Sequence, residues 1–447
     1  MDVLRLPVVG PLVRWRYFRR VLQAVLLVVT VAVVAHGLVG PQIAPRNLAT
    51  VATSIHWRGL LVIGLVAIGN IFCTACPMML VRDGARRLVS PRFTWPRALR
   101  RKWLGLTLLV VVLFSYELFD IWDRPVATAA IVLGYFALAL VIDLLFKRAS
   151  FCKYVCPIGQ FNFIASTLAP TEPLRVVRRG CELALFVPGK TGNLDCTLCL
   201  DCVQACPHDN VALVTRVAGA ELLDTNRRSG IGRLADRLDI AVLAVIFTFA
   251  ALINAFVMTR PAFELERRLA ITLHLTSGAA ILALMFACAL IVLPAMLLGS
   301  AAATARLLSD RRAPDTGTIA ARFALALIPF GLGVWLAHYG FHLLTGILTI
   351  VPVAQSAVID LVGWPAWGEP AWTWMGMPPG LVYPIQLGLT LLGASGSAAL
   401  AYAISAREYP RRTVPAVIPW LIVVALLAVL AVWIIGQPMA MRGLGTA

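Results

Sequence analysis

The chain is 447 residues long, 60% hydrophobic and only 14% charged. So few charges cannot coat a soluble globule of this size, which excludes an ordinary water-soluble fold and puts most of the chain in lipid. The net charge of +17 would suit a nucleic-acid partner, but its distribution along the chain argues against one.

A helix that crosses a bilayer needs about 20 mostly apolar residues. Nine such stretches are legible: 21–40, 59–80, 104–121, 126–146, 238–258, 270–298, 321–350, 381–405 and 415–436. The expected fold class is therefore an all-α polytopic membrane protein with about nine transmembrane helices. Basic residues gather in alternate connections: Arg14, Arg16, Arg19 and Arg20 before the first span, then Arg82 to Lys102, Lys147 to Lys153, Arg306 to Arg312 and Arg407 to Arg412. This positive-inside pattern assigns the N-terminus, the 81–103 loop and the 147–237 segment to the cytoplasm, and nine crossings put the termini on opposite sides. Topology thus accounts for the charge, and no nucleic-acid partner is expected. The first apolar run has a basic flank but is about 20 residues long and lacks a clean small-x-small cleavage site, so it reads as a retained anchor.

Between the fourth and fifth spans lies the only long polar stretch. It divides the chain into an N-terminal membrane domain (1–166), a small ferredoxin-like cytoplasmic insertion (167–237) and a C-terminal membrane domain (238–447). Five of the ten cysteines are in the insertion, and four form the run Cys196-x2-Cys199-x2-Cys202-x3-Cys206-Pro207. This is the bacterial ferredoxin spacing for a [4Fe-4S] cluster. Three thiolates at intervals of three on a tight loop each reach a different iron corner; zinc frameworks instead come as two separated pairs. The fourth ligand is either Cys181, fifteen residues upstream, or Cys206. In two-cluster ferredoxins the last cysteine of each run serves the other cluster, which favours Cys181. Two cubanes need eight cysteines, so a second cluster within the insertion is not expected.

Two further pairs sit at membrane ends: Cys73-x2-Cys76-Pro77 closes the second span, and Cys152-x3-Cys156-Pro157 follows the fourth. Both spans run towards the cytoplasm, so the four thiols can converge there on a second iron-sulfur centre or on copper, which soft sulfur also favours. The alternative is a set of reduced helix-end thiols or a redox-active dithiol. Cys288, alone in an apolar helix, reads as packing.

Five of the six histidines fall towards the outer face: His36, His56, His274, His338 and His342. His338 and His342 are four apart and share one helix face, with Gly340 leaving room between them. His274 with one of that pair suits a haem b, and the same groups suit quinol or copper; the alternative is ordinary interfacial histidines. Counted along its helix, His338 lies about 20 residues from the inner end, or about 30 Å, so transfer between the faces needs an intermediate centre. Among the acids, Asp143 is expected to pair with Lys147 and Arg148, and Glu117 either snorkels or carries protons. Trp364, Trp367, Trp372 and Trp374 read as an interfacial girdle.

The run DCTLCLDCVQACPHDN, preceded by RGCELALF and the two membrane cysteine-proline motifs, resembles the membrane polyferredoxins related to NapH, NosR and CcoG. The resemblance covers about residues 59 to 215. Two departures stand out: the first membrane motif is one residue short of C-x3-C-P, and the first soluble ferredoxin run is missing apart from Cys181. The resemblance implies an oxidoreductase component of a bacterial plasma (inner) membrane that links a soluble ferredoxin-type carrier, or subunits of a respiratory complex, to the quinone pool or a membrane haem. The alternative, from the CcoG side, is a copper reductase or metal-cofactor assembly factor for a respiratory oxidase.

Overall fold

The computed structural model describes residues 1–175, 180–183, 185, 190, 192–194, 196–223, 228–229, 232–309 and 314–439. Among them eight helices are long and apolar enough to cross a membrane: Phe18–Val39, Leu48–Ala67, Pro125–Leu145, Leu238–Phe256, Gly278–Leu308, Thr316–Gly346, Pro379–Glu408 and Thr413–Ile435. The ninth expected span is the shorter apolar helix Trp103–Leu118. The chain is an all-α polytopic membrane protein, and the strands described are confined to two small two-stranded ladders. Of the expected basic loop at Arg306 to Arg312, Arg311 and Arg312 lie outside the described residues.

The chain forms two compact units. The first comprises Met1–Leu109, Arg124–Arg233 and Leu348–Trp374, so the cysteine-rich insertion belongs with the early helices. Its second span is displaced from the expected 59–80. The helix starts at Leu48, where the Asn47 side chain accepts from the Ala49 N–H, and it ends at Ala67. Beyond that point Gly69 takes a φ of +111°, a conformation open mainly to glycine, and a Cβ there would stand 3.2 Å from the Ala169 Cβ. The chain then restarts as Ile71–Thr74 and Pro77–Ala85. Cys73 and Cys76 therefore sit on a broken, turned segment rather than on the end of one continuous helix.

The fourth span, Pro125–Leu145, is followed by a π-helical turn, Phe151–Val155, and the helix Pro157–Ala165. Pro77 and Pro157 each occupy the first position of a helix, where a missing N–H costs nothing and the fixed φ suits the helix. Each cysteine-proline motif thus places its second cysteine, Cys76 or Cys156, at a helix N-cap. The insertion is framed by β1 (Thr171–Leu174) paired antiparallel with β2 (Ala212–Thr215), Thr171 opposite Thr215. The N-terminus packs onto this ladder: Asp2 bridges Val214, and its carboxylate accepts from the Leu213 N–H at 3.1 Å. Beneath the ladder, Arg216 is nearly buried between Glu221, at 2.9 Å, and Glu172, at 3.4 Å.

The second unit comprises Val110–Asp123, Leu234–Ile347 and Met375–Ala447. Leu238–Phe256 is its most enclosed helix, with 83% of its apolar window buried, so its apolar run is continuous rather than one-sided. Small residues let helices approach closely where lipid gives no hydrophobic drive. A Cβ at Gly333 would stand 2.7 Å from the Leu389 oxygen and 3.1 Å from the Gly393 Cα. Polar links add direction: Trp335 Nε1 donates to the Phe247 oxygen at 2.9 Å, the Phe330 N–H to Ser397 Oγ at 2.9 Å, and Asn254 Nδ2 to Glu117 at 3.0 Å. Buried Glu117 therefore reaches a helix partner instead of snorkelling to the interface. Cys288, expected to pack, lies on a π-helical turn, Cys288–Val292, with its side chain exposed. The extra residue of a π turn rotates the helix face locally.

Candidate metal centres

The ferredoxin run folds as a tight loop, 196–200, leading into the short helix Asp201–Ala205. Leu198 and Leu200 take φ values of 49° and 62°, left-handed positions rarely held by non-glycine residues, and such backbone clusters at ligand sites. The turn brings Cys196, Cys199 and Cys202 to one small pocket, and Cys181 lines the same pocket from upstream. Leu183, Leu185, Leu198 and Leu200 supply its apolar walls. Cys199 and Cys202 are buried. Burial, with Cys196 and Cys181 nearby, pushes the Cys202 thiol up to about 12; burial, then Glu182 and Asp201, also raises Cys199. Thiols held this way are protonated when bare, and binding a metal centre there would release protons.

Cys206 is arranged differently. It is only partly buried, does not line that pocket, and its sulfur accepts from the Asn210 N–H at 3.4 Å. Backbone N–H groups at His208 and Asn210 hold its thiol below the usual range. It packs, as Cys181 does, against the buried cluster that holds Leu4, Val13, Cys202 and Val211.

The other four cysteines converge from two helix breaks. Cys73 and Cys76 lie within electrostatic reach of Cys156, and Cys152 within reach of both Cys156 and Cys76. As an N-cap, the Cys156 sulfur accepts from the Gly159 N–H at 3.0 Å. Tyr135 Oη stands 2.5 Å from the same sulfur. Asn162 Nδ2 is 3.8 Å from the Cys73 sulfur, and Met79 Sδ is 3.6 Å from that of Cys152.

Between the two cysteine groups runs a buried ion-pair network that sequence reading missed. Arg19 Nη2 donates to Glu182 at 3.0 Å and Arg82 Nη2 at 2.6 Å, while Arg19 also pairs with Asp201. Burial alone would raise the Glu182 carboxyl, but Arg19 and Arg82 outweigh it and hold it below its usual range. Asp143, expected to pair with Lys147 and Arg148, instead faces Arg82 at 3.6 Å and accepts from the Phe151 N–H at 2.9 Å. The turn after Leu145, with Arg148 at φ 68°, carries the basic residues away and folds Phe151 back onto the carboxylate. The one available signal was an acid inside the apolar run CELALF.

The histidines separate. His338, 3% exposed, lines a cavity in the second unit of about 490 Å³ with Phe341, Tyr383 and Gln386 among apolar neighbours. The His342 ring lies 5.0 Å from that of His338, but His342 does not line the cavity. A Cβ on Gly340 would meet nothing within 4 Å. His274 is exposed at φ 52°, in the turn between Arg260–Thr272 and the helix that Ser277 caps, and does not line the cavity. His36, fully buried in the first unit, accepts from the Leu48 N–H through Nδ1 at 2.9 Å, so its Nε2–H donates to Asp360, also at 2.9 Å. The four tryptophans of 364–374 are exposed, as an interfacial girdle requires.

Known proteins resemble part of this chain. The regulatory protein NosR of Pseudomonas aeruginosa is 29% identical over 31% of this chain and 24% of its own length. NosR of Stutzerimonas stutzeri is 24% identical over 32% of this chain and 24% of its own. The methylamine utilization ferredoxin-type protein MauN of Methylobacillus flagellatus is 28% identical over 32% of this chain and 50% of its own. The matched regions thus span about a quarter to a half of these relatives. No protein-family model matches the chain, and no solved structure does.

Proposed function

From the kinship with NosR/NapH-like membrane polyferredoxins that the matched third of the chain supports, we infer that it is a membrane-bound iron-sulfur electron-transfer protein. One observation carries the reading: Cys181, Cys196, Cys199 and Cys202 line a single buried pocket, with ferredoxin spacing in three of them. These four are the proposed ligands of a [4Fe-4S] cluster, which supplies one-electron chemistry when bound. The chain's part is to fix four thiols on one loop and one upstream turn, to exclude water with leucines, and to leave Cys206 outside the set. Cys73, Cys76, Cys152 and Cys156 are the proposed ligands of a second iron-sulfur centre at the membrane's cytoplasmic edge. The positive-inside pattern supports a cytoplasmic position for both sites, which in this reading lie at a bacterial inner membrane and face a soluble carrier or a partner subunit.

On the membrane side we assign the quinone pool. The cavity at His338, Tyr383 and Gln386 combines apolar walls with a few hydrogen-bonding side chains, as a quinone head group requires. A haem ligated through His274 has less support, because that side chain is exposed outside the cavity. A second reading, copper delivery or reduction, draws on one contact: Met79 and Cys152 form a soft sulfur pair at 3.6 Å.

Iron, sulfide, copper, zinc and haem are to be measured on the full chain purified without oxygen, with visible and EPR spectra. The expected result is iron and sulfide for two clusters. Copper without iron would replace this reading with the metal-delivery one, and zinc without iron would end both. Cys181→Ser should remove one cluster's iron.

A further inference from the structure

We propose that Glu182 is a positioning residue shared by both cysteine sites, its buried charge setting their reduction potentials together. The proposal rests on the two-centre reading above. Glu182 directly follows Cys181, and its side chain is 8% exposed. A carboxylate in such surroundings is unfavourable unless paired, and this one is paired twice, with Arg19 at 3.0 Å and Arg82 at 2.6 Å.

Its position is what matters. On one side a Glu182 oxygen, the Cys199 sulfur and an Asp201 oxygen all lie within 4.8 Å of one another, and Arg19 pairs with both acids. On the other side Arg82 stands on the helix that Cys76 caps and reaches Asp143, whose carboxylate accepts from the N–H of Phe151, next to Cys152. The neighbouring Leu183 packs with Met79 in a cluster that also touches Cys76, Cys152 and Cys181. One side chain therefore ties together the segments that carry Cys76, Cys152, Cys181 and Cys199. Ferredoxin-loop signatures explain none of this, since a lone cysteine ligand needs no acid beside it.

A fixed negative charge disfavours adding an electron to a nearby anionic centre, and a fixed positive charge favours it. Because Glu182 lies between the two sites, its charge acts on both with the same sign. Arg82 acts on both with the opposite sign.

The test is an EPR-monitored redox titration of the full chain in lipid nanodiscs, with iron counted for each sample. For Glu182→Gln both potentials should rise, and Glu182→Asp, which keeps the charge, should return them towards wild type. A shift at one centre only, no shift at either, or equal shifts for Gln and Asp would overturn the proposal. If Glu182→Gln loses iron, Arg82→Gln decides: both potentials must fall, and any other pattern rejects the shared role. A wild-type chain holding a single cluster would instead refute the two-centre reading before any variant is compared.

Discussion

The two cysteine sites of the first unit are built by opposite means. In the insertion, three of the four thiols lining the pocket lie within seven consecutive residues, and a local loop with two left-handed leucines delivers them. At the membrane edge, Cys73 and Cys76 are some eighty residues from Cys152 and Cys156 in sequence, and they meet because two spans break at comparable places. The first site is encoded by spacing and the second by tertiary packing. A loop of the first kind brings its thiols together with little help from the rest of the fold. A site of the second kind inherits its geometry from the helices, through N-caps and partners such as Tyr135 and Asn162.

That contrast is broken most directly by removing one thiol from each site. Cys199→Ser should abolish the cluster signal of the insertion, and Cys156→Ser that of the membrane edge, each taking about half of the iron. Each variant should leave the other centre's EPR spectrum in place. If either substitution erases both signals, the sites are one cooperative assembly and the contrast fails.

The next effect is on folding. Arg216 is nearly buried and pairs with Glu172 and Glu221, besides donating to carbonyl oxygens of Ser166, Thr167 and Ala169. Removing one member of such a network leaves uncompensated buried charge, at a cost of about 3–5 kcal/mol. Arg216→Ala should therefore lower the melting temperature of the insertion and speed proteolysis between residues 167 and 237. The membrane-edge centre should keep its signal, because its geometry comes from helices.

A finer probe is Tyr135→Phe. The tyrosine oxygen stands 2.5 Å from the Cys156 sulfur, and hydrogen bonds to ligand sulfurs raise a cluster's potential. The variant should move the membrane-edge potential downward by less than about 60 mV, the tenfold equivalent for one electron, and leave the insertion's potential where it was. Redox titration of both signals in one sample measures the two at once. Equal movement at both centres would contradict a local hydrogen-bond effect.

How much of this was legible in the sequence follows the same division. Apolar length located the spans, because a bilayer imposes one scale on every crossing, and cysteine spacing pointed to three of the thiols that share the loop pocket, because a tight loop acts over a few residues. The break after Ala67 was not legible: the apolar run resumes at Ile71, and only Asn70 and the left-handed Gly69 interrupt it. The partner of Asp143 was misjudged because nearness in sequence favoured Lys147 and Arg148, whereas the fold brings in Arg82 from another helix. Asp360, which receives the His36 proton donor, lies 324 residues away, and no local pattern connects them. Pairings made by tertiary contact leave no periodic trace, and the contacts of Glu182 with Arg19 and Arg82 are of that kind.

The smallest expected effect decides the question that spacing left open. Cys206 is the last cysteine of the ferredoxin run, yet it stands outside the pocket that the other three share with Cys181. Its sulfur is engaged by the Asn210 N–H. Cys206→Ser should therefore leave iron content and the insertion's EPR signal within error of wild type, while Cys181→Ser removes both. The thiol itself offers an independent reading. Backbone N–H groups favour its thiolate, so in the intact, iron-loaded protein an alkylating reagent near neutral pH should modify Cys206 ahead of the buried cysteines, faster as pH rises through its lowered pKa. Peptide mass spectrometry would locate the adduct. Protection of Cys206 together with loss of iron in Cys206→Ser would make it the fourth ligand, and would require the 206–210 turn to refold towards the pocket when the centre assembles.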